Sequence, residues 1–378
     1  MKALILSCNT GQGHNSAGQA IIAELTARGI ECEMLDTLAF SSEFASDVVS
    51  KIHSKCAVHA PKIYAMGFKA AEKMDESPIK PSPCYIANAT YAGDIYKYII
   101  ENGYDTVIMP HVFPSEALTR IKKKHAPSVR TFFIATDYAY PLFLKDTDVD
   151  GYFIPHQDLA DEFSSNGIER ERLIPTGIPI SEKFLVKTEK AEARRKLGLP
   201  DEGKILLVMT GSMGFGDNMS LIGTLLEKIP NDTHVVVMGG NNEKMKSELR
   251  SAYGADSRLT VLDYTTEVSL YMDACDILFT KPGGLSTTEA AVKGIPLIHT
   301  SPIPGWEESN VRFFKEHGMS LCGETPEELV TAALYLLGNP WKCEQMLESQ
   351  KTVINKYAAR DICDYILQAQ GDRSGKKG

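Results

Sequence analysis

Apolar and polar positions run along this chain in blocks that read, again and again, as strand, loop and helix. Residues 2–8 form an apolar run that ends at Asn9 in a glycine-containing loop. Residues 16–28 then carry Ala17, Ala20, Ile21 and Leu25 at helical spacing, and residues 32–37 return to a strand pattern. Further strands are predicted at 106–110, 131–136 and 152–155, each followed by a helical or loop segment. The pattern restarts in the second half, with strands at 204–210, 234–238, 259–262, 277–280 and 296–300 and a helix at 221–228. Such alternation predicts open parallel sheets covered by helices on both faces. The expected fold class is α/β, two doubly wound domains facing a central cleft. Glycine and proline in Thr176-Gly177-Ile178-Pro179-Ile180 break the pattern and mark the boundary. The expected domains are residues 1–178 and 179–355, with 356–378 a helix and frayed tail packing back on the first domain. In sheets of this kind ligands bind beyond the carboxyl ends of the strands.

The candidate chemistry lies in loops at those ends. Asn9-Thr10-Gly11-Gln12-Gly13-His14-Asn15-Ser16 follows the first strand and opens a helix. Gly11 and Gly13 suit a tight turn and close approach to a ligand, and the helix start offers N–H groups. An imidazole such as His14, with a pKa near ~6.5, can take a proton from a hydroxyl at neutral pH. A plain strand-to-helix turn would show the same residues. Lys281-Pro282-Gly283-Gly284-Leu285-Ser286-Thr287-Thr288-Glu289 also follows a strand and opens a helix. Gly283, Gly284 and the hydroxyls of Ser286, Thr287 and Thr288 suit a pyrophosphate on the helix end, and Glu289 suits ribose hydroxyls. Ser286-x-x-Glu289 equally fits a capping box. In Pro302-Ile303-Pro304-Gly305-Trp306-Glu307-Glu308-Ser309-Asn310, Glu307 and Asn310 suit sugar hydroxyls, or the acidic first turn of a helix. Gly211 and Ser212 begin a glycine-rich loop through Gly216 that suits phosphates or the wall of the cleft.

Composition narrows the classes. The 378 residues are 43% hydrophobic and 24% charged, enough for two cores. The net charge of −9 argues against a nucleic-acid partner. The eight cysteines form no C-x-x-C pair and the nine histidines no H-E-x-x-H, so no protein-bound zinc is expected. Asp146-Thr147-Asp148 matches the D-x-D of metal-dependent sugar transferases, but it sits in a charged stretch before a strand and reads as a solvated loop. No run reaches the ~18 apolar residues of a membrane span, and the first apolar run is shorter than a secretory signal. A cytoplasmic location is expected. Residues 51–80 stand out, with Lys51, Lys55, Lys62, Lys69, Lys73 and Lys80 against Glu72, Asp75 and Glu76. Apolar residues, among them Ile63, Tyr64, Met66 and Phe68, lie between these lysines. A basic amphipathic patch suits anionic lipid headgroups; a core-packed helix pair with a solvated lysine face has the same composition.

In this order, the glycine–His14 loop, Thr136-Asp137, the Thr-Gly-Ile-Pro linker, the Lys-Pro-Gly-Gly…Glu-Ala run and the Pro-Gly…Glu…Asn run resemble the processive diacylglycerol glycosyltransferases. That group includes the monogalactosyldiacylglycerol synthases and is related to the peptidoglycan N-acetylglucosaminyltransferases. The resemblance implies the glycosyltransferase B fold, two Rossmann-like domains. The first would take a lipid acceptor such as diacylglycerol, the second a UDP-sugar that is a substrate rather than a cofactor. It implies inversion without a bound metal, with His14 as base and Asp137 as the rival base. Gly11, Gly13, Gly211, Ser212, Gly283, Gly284, Ser286, Thr287, Thr288, Glu289, Glu307 and Asn310 would surround the donor. Residues 41–80 would face a membrane surface, with Lys51, Lys55, Tyr64, Phe68 and Lys69 toward lipid, making the enzyme peripheral at the inner face of the cell membrane. Two departures leave donor sugar and acceptor open. Tyr138-Ala139-Tyr140-Pro141-Leu142-Phe143-Leu144 holds neither the His nor the Trp usual in the family, and Trp306 replaces a Gln. The competing classes are a UDP-sugar 2-epimerase on the same fold, a glycosyltransferase with a non-lipid acceptor, and a non-enzymatic UDP-sugar sensor.

Overall fold

The structure is a computed structural model that describes residues 1–9, 11–41, 61–77, 80–211, 217–303 and 305–374, with backbone alone at 61–65 and 371–374. The chain forms two compact units. The first holds Met1–Ser181 and the C-terminal segment from Asn355; the second holds Glu182–Ile303 and Glu307–Ile354.

The sheet of the first unit has strands β1 (Lys2–Ser7), β2 (Glu31–Asp36), β3 (Thr106–Met109), β4 (Arg130–Ile134), β5 (Gly151–Ile154) and β6 (Leu173–Pro175). They pair in the order β2-β1-β3-β4-β5-β6, all parallel. The short edge strand β6 escapes the hydrophobic pattern, because its three residues are only partly covered and one is proline. The chain leaves β1 toward β2 and later returns to β3 on the other side of β1, so the strand order reverses between β1 and β3. A crevice opens at such a point because helices leave it in opposite directions.

The core of this unit joins strand residues Ala3, Ile5, Ile108, Phe132, Ile134 and Phe153 to Ile21 and Leu25 of the helix Gln12–Ala27. Ile362, Cys363 and Ile366 of the helix Ala358–Ser374 complete it. Their i, i+1, i+4 spacing puts them on one helical face, which draws the end of the chain back onto its beginning. Polar ties fix the docking: Arg28 pairs with Asp364 at 2.5 Å and Gln370 Nε2 donates to Thr106 Oγ1 at 2.6 Å. The linker is pinned there as well. Asn355 Nδ2 donates to the Thr176 carbonyl at 2.8 Å, and Gly177 has a φ of +96° that side chains rarely adopt.

The second sheet contains β7 (Lys204–Met209), β8 (Thr233–Met238), β9 (Leu259–Leu262), β10 (Ile277–Thr280), β11 (Leu297–His299) and β12 (Leu321–Cys322). The order is β12-β11-β10-β7-β8-β9, again all parallel. Its reversal lies between β7 and β10. The two-residue β12 is, like β6, an edge strand too short to show a period.

The Asp146-Thr147-Asp148 stretch is not the solvated loop that its charges imply. Thr147 is buried and its hydroxyl donates to the Leu144 carbonyl at 2.6 Å. Asp148 pairs with Arg172 at 2.6 Å, and its N–H donates to Thr119 at 2.7 Å. Asp150 reaches Thr131 at the start of β4, so this segment lies at the amino ends of the strands, away from the ligand-binding edge.

Candidate active site

In the first unit the helix Gln12–Ala27 begins four residues earlier than its apolar period suggests, so His14 is the third residue of the helix rather than part of the loop before it. Gly11 is the cap residue, in extended backbone (φ −173°) with nothing near the place of a Cβ. Glycine is therefore not required there by a tight turn. Gly13 lies inside the first helical turn. The loop is held by a polar chain instead. Ser7 Oγ donates to Asn15 Oδ1 at 2.6 Å, Asn15 Nδ2 to Asn9 Oδ1 at 2.7 Å, and Asn9 Nδ2 to Asp36 Oδ2 at 2.7 Å. The helix sits close on the sheet because residue 18 is glycine. A Cβ there would stand 2.8 Å from Met34 Sδ and 3.2 Å from Ile5 Cγ2.

This places the half-buried His14 ring at the β1/β3 reversal. Its Nδ1 is 2.8 Å from the Pro110 carbonyl, just past β3, and 2.9 Å from Thr136 Oγ1, just past β4. A carbonyl only accepts, so Nδ1 carries a proton, and it is Nε2 that holds the lone pair whenever the ring is neutral. The His111 ring meets His14 edge to face, centroids 4.6 Å apart, and His111 itself caps the helix Val112–His125 through Phe113 N. Pro110, Thr136 and His111 are the functional neighbours that sequence reasoning did not assign. They lie at two strand ends, Pro110 and His111 past β3 and Thr136 past β4, and only the strand order brings them to the end of β1. Asp137 is half-buried beside Thr136 at the same sheet edge. Where the family has a His and a Trp, this chain packs Tyr138, Ala139 and Leu144 into the core.

In the second unit the helix Gly284–Lys293 starts directly after Gly283, with no side-chain cap. Ser286 and Glu289 therefore form no capping box; both lie within the helix. The first helical bond runs from Thr287 N to the Gly283 carbonyl at 3.0 Å, so the N–H groups of Leu285 and Ser286 precede it and point along the axis at the helix start. The Thr287 and Thr288 side chains are buried. Thr287 Oγ1 is 3.3 Å from His299 Nε2, and Thr288 Oγ1 donates to the Gly284 carbonyl at 2.7 Å. Those two hydroxyls thus turn into the protein rather than toward a phosphate. Ser286 remains half-exposed at the helix start. Burial pushes the His299 pKa down to about 3, leaving a neutral ring under this helix.

Glu289 lies one turn further on. Desolvation raises its carboxyl to about 8, with Lys183 acting in the opposite direction. Glu307 and Asn310 are buried at the start of the helix Trp306–Glu316. Glu307 pairs with Lys281 and accepts from Ile303 N at 2.8 Å; Asn310 Nδ2 donates to the Pro282 carbonyl at 2.8 Å. Both brace the loop before the helix Gly284–Lys293. Gly211, at the end of β7, has a φ of +73° and meets the stem of Lys281 across the reversal.

Several expected residues fall elsewhere. Ser212, Lys51 and Lys55 lie outside the described residues, as does the side chain of Tyr64. In the helix Pro61–Glu76, Phe68 is half-buried and Lys69 exposed, alongside Met66, 71% exposed, and Met74, 43% exposed. Among the described residues no helix is long and apolar enough to cross a membrane.

Comparison with known proteins gives this geometry its family. Residues 14–180 match the model of monogalactosyldiacylglycerol synthase, and residues 205–359 that of the glycosyltransferase family 28 C-terminal domain. The chain is 26% identical over 368 residues to a processive diacylglycerol beta-glucosyltransferase of Bacillus cereus, covering 97% of this chain and 93% of the relative. Its likeness to the Bacillus pumilus enzyme of the same name is 25% over 370 residues, 97% and 94% of the two chains. In fold it is similar to MurG of Acinetobacter baumannii, with a TM-score of 0.64 at 13% identity over 97% of this chain and 99% of the other. A UDP-GlcNAc 2-epimerase from Neisseria meningitidis gives 0.63 at 15% identity, over 97% and 100%. With one family match in each unit, and with both sheets in the glycosyltransferase B arrangement of strands, the chain belongs to the monogalactosyldiacylglycerol synthase and processive diacylglycerol glycosyltransferase family and is a glycosyltransferase.

Proposed function

We propose that this enzyme transfers a hexose from a UDP-sugar to the hydroxyl of a lipid acceptor, diacylglycerol or a glycolipid built on it, with inversion and without a bound metal. The carrying observation is the His14 ring, whose Nδ1 faces the Pro110 carbonyl at 2.8 Å and whose lone pair is thereby set at Nε2. In the proposed step Nε2 takes the acceptor proton while the acceptor oxygen bonds to the anomeric carbon. The bond from that carbon to the diphosphate breaks on the opposite face, and UDP leaves. The N–H groups at the start of the helix Gly284–Lys293 suit the charge that develops on the leaving group. The names of the Bacillus relatives support the lipid acceptor, and the exposed Met66, Met74 and Lys69 support a peripheral seat on a membrane surface.

The test is UDP release from UDP-glucose and UDP-galactose in EDTA, with and without vesicles containing diacylglycerol. Vesicle-dependent release with a new glycolipid is the expected result. UDP-sugar consumed without any acceptor would instead point to 2-epimerase chemistry, and UDP binding without turnover to a sensor.

The raised Glu289 carboxyl gives a pH signature. Ribose hydroxyls donate to the ionised form, and below about 8 the group is protonated in the empty site. Donor affinity is therefore expected to climb as pH rises from 7 to 9, by at most ~10-fold per unit. Glu289→Gln is expected to flatten that rise, and Glu289→Ala to weaken UDP binding overall. Calorimetric titration with UDP at several pH values checks both; an unchanged profile in Glu289→Gln would leave Glu289 a packing residue.

A further inference from the structure

The last turn of the helix Pro61–Glu76 breaks two local rules at one hydrogen bond. Asp75 is a carboxylate at the C-terminal end of a helix, where the aligned peptide dipoles leave negative charge. It is also buried, at 5% exposure, although Met74 before it and Glu76 after it are exposed. Neither placement favours the helix, so the reason for it lies in what the carboxylate holds. Asp75 Oδ1 accepts from Phe143 N at 3.1 Å, and Lys145 Nζ lies 3.3 Å from the same oxygen. Phe143 has a φ of +65°, which a bulky side chain rarely adopts. Backbone of that kind persists where its surroundings hold it, and such places gather at functional sites.

The grip extends through the turn that contains Phe143. Lys145 N donates to the Tyr140 hydroxyl at 2.7 Å, and Asp146 N to the Phe143 carbonyl at 3.0 Å. The buried Tyr138 and Ala139 join this turn to Thr136 and Asp137. Thr136 Oγ1 in turn is 2.9 Å from His14 Nδ1. Asp75 thus bridges two parts of the first unit. One is the helix that shows Met66, Lys69 and Met74 to solvent; the other is the segment that runs to the strand end beside His14.

We propose that Asp75 is a positioning residue that passes the seating of the helix Pro61–Glu76 on a lipid surface to the strand end beside His14. This rests on the lipid-acceptor reading above and adds the residue that links membrane contact to turnover. Phe143 has two arrangements. Gripped by Asp75, it stays at positive φ, and the turn at 140–147 holds Thr136 and Asp137 in place at His14. Released, it relaxes to the ordinary negative-φ region and the turn loosens. Lipid under Met66 and Met74 fixes the helix and so favours the gripped arrangement.

The experiment uses the full-length enzyme and vesicles of phosphatidylcholine and phosphatidylserine that carry diacylglycerol. UDP release, vesicle sedimentation, UDP titration and thermal unfolding are followed for the wild type, Asp75→Ala, Asp75→Asn, Phe143→Gly and the double variant Asp75→Ala, Phe143→Gly. Asp75→Ala is expected to lower kcat about 10-fold, the lower end of what one hydrogen bond to a charged group is worth, with UDP affinity and sedimentation unchanged. Asp75→Asn keeps an acceptor for Phe143 N and is expected to keep most of the rate. Glycine takes a positive φ without strain, so Asp75→Ala is expected to cost less in the Phe143→Gly background. An unchanged kcat in Asp75→Ala overturns the proposal. So does an equal loss in both backgrounds, or a loss of UDP affinity or sedimentation in step with the rate. Should Asp75→Ala fail to unfold cooperatively, hydrogen exchange in the wild type decides. Residues 138–147 are expected to exchange more slowly with vesicles that lack diacylglycerol than without vesicles; equal exchange overturns the proposal. A wild type that turns over UDP-sugar without vesicles would remove the lipid reading itself, a result distinct from a vesicle-dependent wild type that Asp75→Ala matches.

Discussion

Replacing His14 with alanine is expected to lower the rate of glycosyl transfer by roughly 10²–10⁴-fold, the usual worth of general-base assistance, while UDP affinity stays close to that of the wild type. The separation follows from the placement of the ring. His14 belongs to the first unit, at the β1/β3 reversal, whereas the proposed diphosphate ligands belong to the second. The effect should appear in kcat, because the ring is asked to act on a proton in flight and not to hold the donor. Thr136→Val removes one of the two partners of Nδ1 but leaves the Pro110 carbonyl at 2.8 Å, so a smaller loss is expected. Asp137→Asn is the decisive comparison. If it abolishes transfer while His14→Ala is mild, Asp137 is the base. Loss of UDP binding in step with activity in His14→Ala would make His14 a structural or donor residue. Steady-state kinetics with vesicle-borne diacylglycerol, together with UDP titration, measure both quantities.

Lys293→Met is expected to destabilise the second unit by about 3–5 kcal/mol, the cost of breaking one side of a buried ion pair. Lys293 is the last residue of the helix Gly284–Lys293 and is 1% exposed; Asp273, its partner at 2.7 Å, is 2% exposed. The ammonium also donates to the Val186 carbonyl at 2.5 Å, and Asp273 Oδ2 also accepts from Thr188 N at 3.1 Å. Asp273 Oδ1 has no partner among the described residues, so little remains to solvate the carboxylate once the lysine is gone. A cation at a helix end of this polarity is also favoured by the dipole. The pair anchors the far end of the helix whose near end is proposed to receive the diphosphate, so weaker UDP binding should accompany the loss of stability. Urea denaturation followed by circular dichroism measures it. A loss below about 1 kcal/mol would mean that water reaches the pair. The double variant Asp273→Leu, Lys293→Met should lose less than the single one, because no buried charge is orphaned.

The sequence alone determined the two parallel sheets, their long strands and the glycine-containing loops that follow β1 and β10. A strand buried on both faces must be written in Val, Ile, Leu and Phe, as in Ile277–Thr280 or Arg130–Ile134, and such runs are local and legible. Helix starts were less legible. The helix of His14 begins at Gln12 because a polar chain through Ser7, Asn15, Asn9 and Asp36 holds its approach, and no apolar period announces that. Ser286 and Glu289 have the spacing of a capping box, yet the helix begins two residues before Ser286, at Gly284. The edge strands β6 and β12 were invisible, since two or three half-covered residues show no period. Only the tertiary structure decided what each candidate residue touches. The partners of His14 lie 96 and 122 positions away in the chain, and they meet it because the sheet reverses its order beside β1. Thr287 and Thr288 look like phosphate ligands in the sequence, but helical geometry turns their hydroxyls toward His299 and the Gly284 carbonyl. Residue type and spacing state what a side chain is able to do; strand order and helix rotation, which depend on contacts distant along the chain, decide which way it faces.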